Sequence, residues 1–188
     1  MGHEYNSSMP EITVPALLPE HAVFLRDAIG LPSLRNEHAV TRRIIEAIPV
    51  DKGDYRPDQV SKSAVDLAYH IAGAEHRFMD AVVNGAFDFT TPRPDGLTTS
   101  ADVARWYADT FATDFDRVAA LSADQLMKPI EFRGILRLPA IAFIQIALNH
   151  SIHHRGQLSM YLRPMGAPVP AIYGESYDSA KAKTVSSQ

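Results

Sequence analysis

The chain has 188 residues, of which 46% are hydrophobic, and this is enough to build the core of one folded domain. Its formal net charge of -4 leaves no excess of basic residues for binding phosphates, so we expect no nucleic-acid partner. Cysteine is absent, which excludes disulfides, thiolate metal ligands and a cysteine nucleophile, and agrees with a reducing cytoplasm.

Residues 1–32 are predicted to form an N-terminal extension outside the main domain. Residues 1–8 are polar, unlike an export signal, and no apolar run reaches the roughly 18 residues that a membrane-spanning helix needs. We therefore expect a cytoplasmic protein that does not bind membranes. Within the extension, Pro19 and Gly30 bracket a short predicted helix, and residues 31–32 are expected to break the chain after it.

The main domain is expected to span residues 33–178 and to begin with two helices. The first is predicted over residues 33–47, where the leading serine can cap the N-terminus. A turn-rich stretch follows at residues 50–57. The second helix is predicted over residues 58–84, with the aspartate at its first position as the cap, and its helical spacing places His70 on the inward, apolar face.

Two further helices are predicted in the second half. Residues 85–98, rich in proline and glycine, form an irregular connection, and a capping-box pattern then opens a helix over residues 99–121. Residues 130–138 alternate like a small hairpin and lead into a helix over residues 139–162. This last helix is apolar on two sides, so we expect the N-terminal extension or a homodimer interface to cover it. Residues 179–188 are expected to be a flexible tail.

The last helix carries residues 149–157, the stretch of the sequence that is densest in groups able to do chemistry. His150 and His154 lie four residues apart, about 40° around a helix axis, so both imidazoles can reach one point. This spacing is typical of metal ligands. His153, about 60° to the other side of His150, is the alternative to His154.

A third imidazole can come from His70, since helix bundles hold metals between facing helices by inward side chains. The other interpretation of His70 is a hydrogen-bonded core residue. Three neutral imidazoles with an open position suit a divalent ion such as Zn, Ni, Co or Fe. Asp66, Asn149 and Gln157 are candidates to accept the second N–H of these rings.

Other catalytic motifs are missing from the sequence, which has no Gly-x-Ser-x-Gly elbow, no phosphate-binding glycine loop and no His-Glu-x-x-His. Arg155 and Arg163 could bind a substrate carboxylate, or could simply complement the helix dipole. Tyr173 and Tyr177 could line the mouth of a pocket, or could pack against the bundle. No catalytic residue is assigned from the sequence.

Several segments of the sequence form a recognisable pattern together with His70. They are Asp54 to Pro57, Asn149-His150, His153 to Leu158, Leu162 to Gly166 and Pro170 to Gly174. This pattern resembles the DinB-like family, over about residues 33–178. The resemblance implies an all-α fold, an up-down-down-up four-helix bundle that is frequently a homodimer. It also implies that three histidines hold a divalent metal ion, and at the matching positions these are His70, His150 and His154.

The resemblance also indicates a function, because characterised relatives include transferases and isomerases that use mycothiol or bacillithiol. We therefore expect a transferase that moves a low-molecular-weight thiol onto a small electrophile at the three-histidine centre, with Zn or Ni as the ion. Since the chain has no cysteine, the thiol must come from outside. Arg155 or Tyr173 would orient the substrate. The alternatives are a metal-dependent hydrolase and a non-catalytic, dimeric metal-binding stress protein.

Overall fold

The computed structural model describes residues 16–186 and is built from helices with one small antiparallel hairpin. A π-helical segment, Leu25–Gly30, joins the first two helices, and a 3-10 turn, Val50–Lys52, follows the second. The helices and strands are α1 Pro19–Phe24, α2 Leu31–Glu46, α3 Ala64–Asn84, α4 Ser100–Ala119, α5 Ala123–Met127, β1 Pro129–Phe132, β2 Leu136–Pro139, α6 Ala140–Leu162 and α7 Tyr177–Ser186.

The long helices α2, α3, α4 and α6 form a four-helix bundle, which confirms the predicted fold class. Helix α2 points one way, α3 and α4 point the other way, and α6 returns, so the topology is up-down-down-up. Around the bundle α3 contacts both α4 and α6, and α2 closes the ring against the same two helices. Three pairs of helices define the directions. The contacts are Tyr69–Trp106 and Asp80–Arg117 between α3 and α4, His70–His154 and Phe78–Phe143 between α3 and α6, and Arg35–Phe115 between α2 and α4, with Ile48, just after α2, against Ser100 of α4.

Helix α6 is apolar on two sides, and both sides are covered within one chain. One side, with Phe143, packs against α3. The other packs under α2 and the π-helical segment, where Gly30 comes so close that an added Cβ would lie 3.1 Å from Cγ2 of Ile144. The described part of the extension therefore provides part of the predicted cover, and α2 of the main domain provides the rest. A homodimer is not needed for it and stays a prediction.

The predicted chain break at residues 31–32 is wrong. The chain passes from the π-helical segment directly into α2, with Pro32 in the first turn of α2. The N–H of Leu31 bonds to the carbonyl of Arg26, five residues back. A proline disturbs the regular bonding of an α-helix, and a π-helical turn is one way to absorb such a defect without ending the helix.

The predicted start of the second long helix at Asp58 is also wrong. Helix α3 begins six residues later, at Ala64, because the Ser63 hydroxyl accepts the N–H of Asp66 at 3.1 Å and so caps the N-terminus. The Asp58 carboxylate instead accepts the N–H of Val60 at 2.9 Å in a local turn. Both residue types are good caps in isolation, and of the two only Ser63 is buried.

Three local predictions are confirmed. Thr99 caps α4 in a reciprocal capping box with Asp102. Strands β1 and β2 pair as a hairpin around Arg133, which has a positive φ of 51°, and Gly134, with 70°. The connection between α3 and α4 is irregular.

Helix α7 occupies the segment expected to be a flexible tail, while the predicted domain boundaries stay predictions. Among the described helices, none has the length and hydropathy needed to cross a membrane.

Candidate metal centre

Three imidazoles meet between α3 and α6. His70 lies near the N-terminal end of α3, and His150 and His154 lie one turn apart on α6. The ring centroids are 4.9 Å apart for His70 and His150, 4.5 Å for His70 and His154, and 4.4 Å for His150 and His154. One nitrogen from each ring lies within 4.8 Å of the other two, so the cluster could hold a single metal ion.

Burial of the neighbouring residues positions these rings. Leu67 is one turn before His70 on α3, and Ala147 is one turn before His150 on α6; both are buried between the helices. The antiparallel packing of α3 and α6 then brings their histidine-bearing turns to the same level. The sequence predicted the α6 pair from spacing, whereas the meeting of that pair with His70 depends on the register between two helices.

The hydrogen bonds of His154 leave its second nitrogen facing His70. The His154 Nδ1–H donates to Oε1 of Gln157 at 2.7 Å, because a carbonyl oxygen can only accept. In the neutral ring Nε2 is then an acceptor, and it lies 3.1 Å from Nε2 of His70. A glutamine that fixes the tautomer in this way is what a metal-ligating histidine requires, so the predicted role of Gln157 agrees with the structure.

The ring of His150 has one nitrogen without a hydrogen-bond partner among the described residues. Nδ1 of His150 is buried and has no hydrogen bond within the described residues. A buried nitrogen without a partner costs free energy unless an ion or a water molecule satisfies it. The chemistry of the three side chains therefore fits a bound cation.

Burial keeps the imidazoles of His70 and His150 neutral. Desolvation, followed by the adjacent His154 ring and the charges of Lys62 and Arg77, lowers the pKa of His70 to about 4. Desolvation, followed by the His154 and His70 rings, lowers the pKa of His150 to about 4. At neutral pH both rings are in the unprotonated form that binds metal.

His153, the alternative to His154, lies outside the cluster. Its side chain is exposed, and its Nε2 accepts a hydrogen bond from Nε2 of Gln157 at 3.3 Å. The other two candidate partners of the rings also lie elsewhere. Asp66 pairs with Arg93 at 3.0 Å, and Asn149 accepts from Gln145 at 2.9 Å. These side chains belong to the surface rather than to the three-ring cluster.

The two side chains expected to orient a substrate are engaged on the α2 side of α6. Arg155 is 1% exposed and pairs with Glu37 and Thr41 of α2. It also donates to the Tyr173 hydroxyl at 2.7 Å, and that hydroxyl donates to Glu37 at 2.9 Å. These bonds connect α6, α2 and the segment after α6, so the predicted roles of Arg155 and Tyr173 at the substrate are not supported. Arg163 likewise pairs with Asp178 of α7 at 3.0 Å.

The cluster is accessible to small molecules. His70 lines a cavity of about 470 Å³, and His154 lines a neighbouring cavity of about 450 Å³. Ser61 and Lys62, in the loop before α3, border both cavities. Volumes of this size are ordinary for ligand pockets. A ligand can therefore approach the three rings from the side of this loop.

A second titratable pair, which the sequence did not reveal, lies next to this cleft. His76 Nδ1 lies 2.6 Å from a carboxylate oxygen of Asp114, whose side chain is 2% exposed. His76 lines a third cavity of about 230 Å³, which shares Tyr69, Gly73 and Arg77 with the cavity at His70. His76 lies six residues after His70, about 120° away around the helix axis, so its spacing does not connect it with that ring. Asp114 comes from α4, so no local pattern could have connected the two residues.

Comparisons with known proteins agree with this architecture. The model of the DinB family matches residues 31–185. The uncharacterized protein YjoA of Bacillus subtilis (strain 168) is 29% identical over 130 residues, covering 68% of this chain and 82% of YjoA. The crystal structure of YjoA, described as a DinB-like protein, has a TM-score of 0.66 at 26% identity and covers 78% of this chain and 99% of its own. A DinB-like protein from Bacillus cereus shares the fold, with a TM-score of 0.63 at 19% identity, covering 77% and 95%. Since the family model spans most of the sequence, this chain belongs to the DinB family.

Proposed function

We propose that this protein is a metal-dependent transferase that moves a low-molecular-weight thiol onto a small electrophile. The observation that carries the proposal is the cluster of His70, His150 and His154, whose nitrogens lie within 4.8 Å of one another beside a cleft of about 470 Å³. An all-nitrogen set of three suits Zn or Ni. A divalent ion held there would supply Lewis acidity, which deprotonates a thiol near neutral pH.

The chain's own residues perform the remaining tasks. The three imidazoles would hold the ion, and Gln157 orients the His154 ring through its hydrogen bond of 2.7 Å. The cleft of about 470 Å³ would admit the small reactants. The sulfur would donate its electron pair to the electrophilic carbon, the leaving group would depart with its bonding pair, and the thiol proton would pass to solvent.

Among residues 16–186, no carboxylate joins the three imidazoles of the cluster, and this favours thiol transfer over hydrolysis. A hydrolase usually places a general base within hydrogen-bond reach of its water. Asp66, the acidic residue that lines the cavity of His70, is paired with Arg93 at 3.0 Å and Arg56 at 3.5 Å. A thiol is more acidic than water by several pKa units and depends less on such a base. With no cysteine in the chain, the nucleophile is an external thiol.

The first experiment measures metal content by mass spectrometry on protein purified without an affinity tag. We expect about one equivalent per chain in the wild type and a loss of the ion in the His70→Ala and His154→Ala variants. His153→Ala is the matched control, because this exposed neighbour lies outside the cluster, and it should retain the ion. Metal loss from His153→Ala, or no ion after incubation with Zn or Ni, would overturn the metal assignment.

The second experiment measures activity. The metal-loaded protein is mixed with an external thiol and an aryl halide, and the thioether product is followed by absorbance. We expect a rate that requires both the thiol and His70, and that is unchanged in His153→Ala. Ester hydrolysis without thiol, with the same dependence on His70, would favour the hydrolase. Neither activity, together with a large loss of thermal stability in His150→Ala, would favour the metal-binding stress protein.

A further inference from the structure

The cleft at His70 is lined by an unusual excess of positive charge. Its lining includes four cationic residues and, from the described part of the chain, a single acidic one, Asp66. This contrasts with the net charge of -4 for the whole chain. The cationic residues come from the loop before α3, from α3 itself and from the connection to α4. They are Arg56, Lys62, Arg77 and Arg93.

Three of these side chains are held in place by protein contacts. Asp66 accepts from Arg93 at 3.0 Å and from Arg56 at 3.5 Å, so one carboxylate positions two guanidinium groups. The Arg93 guanidinium also lies 4.6 Å from the centroid of the Tyr69 ring. Arg77 donates to the backbone carbonyl of Asp88 at 3.0 Å. Because a carbonyl is neutral, this hydrogen bond does not compensate the positive charge of Arg77. Asp66 can neutralise only one of the four charges.

The positive charge extends to the candidate metal centre. Lys62 and Arg77 line the same cavity as His70, so their charges lie on the walls beside that ring. Lys62 is exposed, borders the cavities at both His70 and His154, and forms no ion pair with any described residue. Fixed positive charges on the walls of a cleft attract and orient anions.

We propose that this cationic cleft binds the anionic group, a carboxylate or a phosphate, of a small molecule whose other end reaches the three-histidine cluster. Guanidinium groups fixed by a protein carboxylate are preorganised to donate paired hydrogen bonds to such a group. The proposed function is needed only for the further claim that this anionic group is part of the thiol or of the electrophile. The binding of an anion in the cleft does not depend on the proposed function.

The test titrates purified protein with malonate and, separately, with inorganic phosphate, by calorimetry at constant ionic strength. Malonamide, the neutral analogue of malonate, measures the part of the affinity that does not depend on charge. We expect saturable binding of at least one anion and none of malonamide. The anion that binds more tightly identifies the group as a carboxylate or a phosphate.

Two variants locate the site. Lys62→Gln and Arg77→Gln should each weaken the anion affinity about tenfold, since each removes a charged donor. Lys62→Arg, which keeps the charge, should restore it. Lys128→Gln is the matched control, because this lysine is exposed at the start of the hairpin and lines none of the cavities described above, and its affinity should be unchanged.

The His154→Ala variant separates anion binding by the cleft from anion binding by a metal ion. Malonate and phosphate affinities that persist in His154→Ala but fall in Lys62→Gln support the proposal. Affinities lost in His154→Ala and unchanged in Lys62→Gln would overturn it, as would the absence of anion binding. No thiol or electrophile is present in this titration, so a failed transferase assay would leave its result standing.

Discussion

His70 and His150 are neutral imidazoles whose environment opposes protonation, and this has a measurable consequence for stability. Their pKa values are about 4 in the folded protein, against the usual 6.5 for an exposed histidine. Between these values the unfolded chain binds more protons than the folded one. The free energy of unfolding therefore rises with pH through this window.

We predict that the metal-free protein loses stability as the pH falls from about 6.5 towards 4, and that His70→Asn loses less. The stabilising contribution of a neutral His70 is fully present above pH 6.5 and disappears as the pH approaches the folded pKa. Urea unfolding of the metal-free proteins at pH 7.5 and pH 4.5 measures this loss of stability. The same pH dependence in His70→Asn as in the wild type would contradict the prediction, and His153→Ala should behave like the wild type.

Gly73 shapes the cleft from within α3. A Cβ added there would lie 3.1 Å from Cζ of Tyr69, and the displaced ring would disturb the guanidinium of Arg93. We predict that Gly73→Ala leaves the thermal midpoint almost unchanged, because the gain in helix propensity offsets the crowding, while malonate affinity falls. Gly156→Ala on α6 is the control, since nothing lies within 4 Å of its added Cβ. That variant should gain about 0.5–1 kcal/mol of stability and keep its affinity.

Helices α3 and α4 are connected by a polar network around Asp114. Besides His76 at 2.6 Å, this carboxylate lies 3.4 Å from Arg117, which also pairs with Asp80 of α3 at 2.9 Å. The side-chain hydrogen bond to Asp114 raises the pKa of His76, against the opposing effect of burial. The parallel packing of two helices thus depends on ionic contacts as well as on the apolar core.

We predict that Asp114→Asn lowers the pKa of His76 and destabilises the fold by about 1–2 kcal/mol. A histidine with a raised pKa contributes stability that is fully present below its usual pKa and is lost as the pH rises through the folded value. The loss caused by Asp114→Asn should therefore be larger at pH 5.5 than at pH 8.5. NMR titration of His76 and thermal unfolding at the two pH values measure this. An unchanged His76 titration would show that the carboxylate does not control the ring.

At the scale of the whole molecule, an ion bound between α3 and α6 would stabilise the bundle. The two helices supply all three imidazoles, and a ligand that binds only the folded state raises its stability by mass action. We predict that Zn or Ni at a hundred times its dissociation constant adds about 2.7 kcal/mol, which a chelator removes. Thermal unfolding with and without metal checks this prediction. An equal shift in His154→Ala would place the ion elsewhere.

The homodimer implied by the family resemblance is also a property of the whole molecule. Several large apolar side chains of α1 and the π-helical segment are exposed, including Phe24 at 61% and Ile29 at 45%. The predicted dimer would be detected by light scattering of the purified protein. A monomer at all concentrations would contradict that expectation without affecting the candidate metal centre, whose three histidines all come from one chain.

The amino-acid sequence by itself determined the features that depend on residue spacing within one helix or strand and on the capping and turn residues at its ends. The spacing of His150 and His154 places both rings on one face of any helix. The Thr99 capping box and the alternation around Gly134 likewise act over a few residues, and both were predicted correctly. The family motif then added the fold and the third histidine.

Only the tertiary structure decided which distant groups share a site. Helical periodicity gives the angle of a side chain around its own axis, but not the register between two packed helices. That register, set by core packing, brings His70 to His154 and Asp114 to His76. It also turns Arg155 towards α2 and away from the cleft. The cationic cleft could not be predicted for the same reason: its charges come from two loops and one helix, and only folding brings them together.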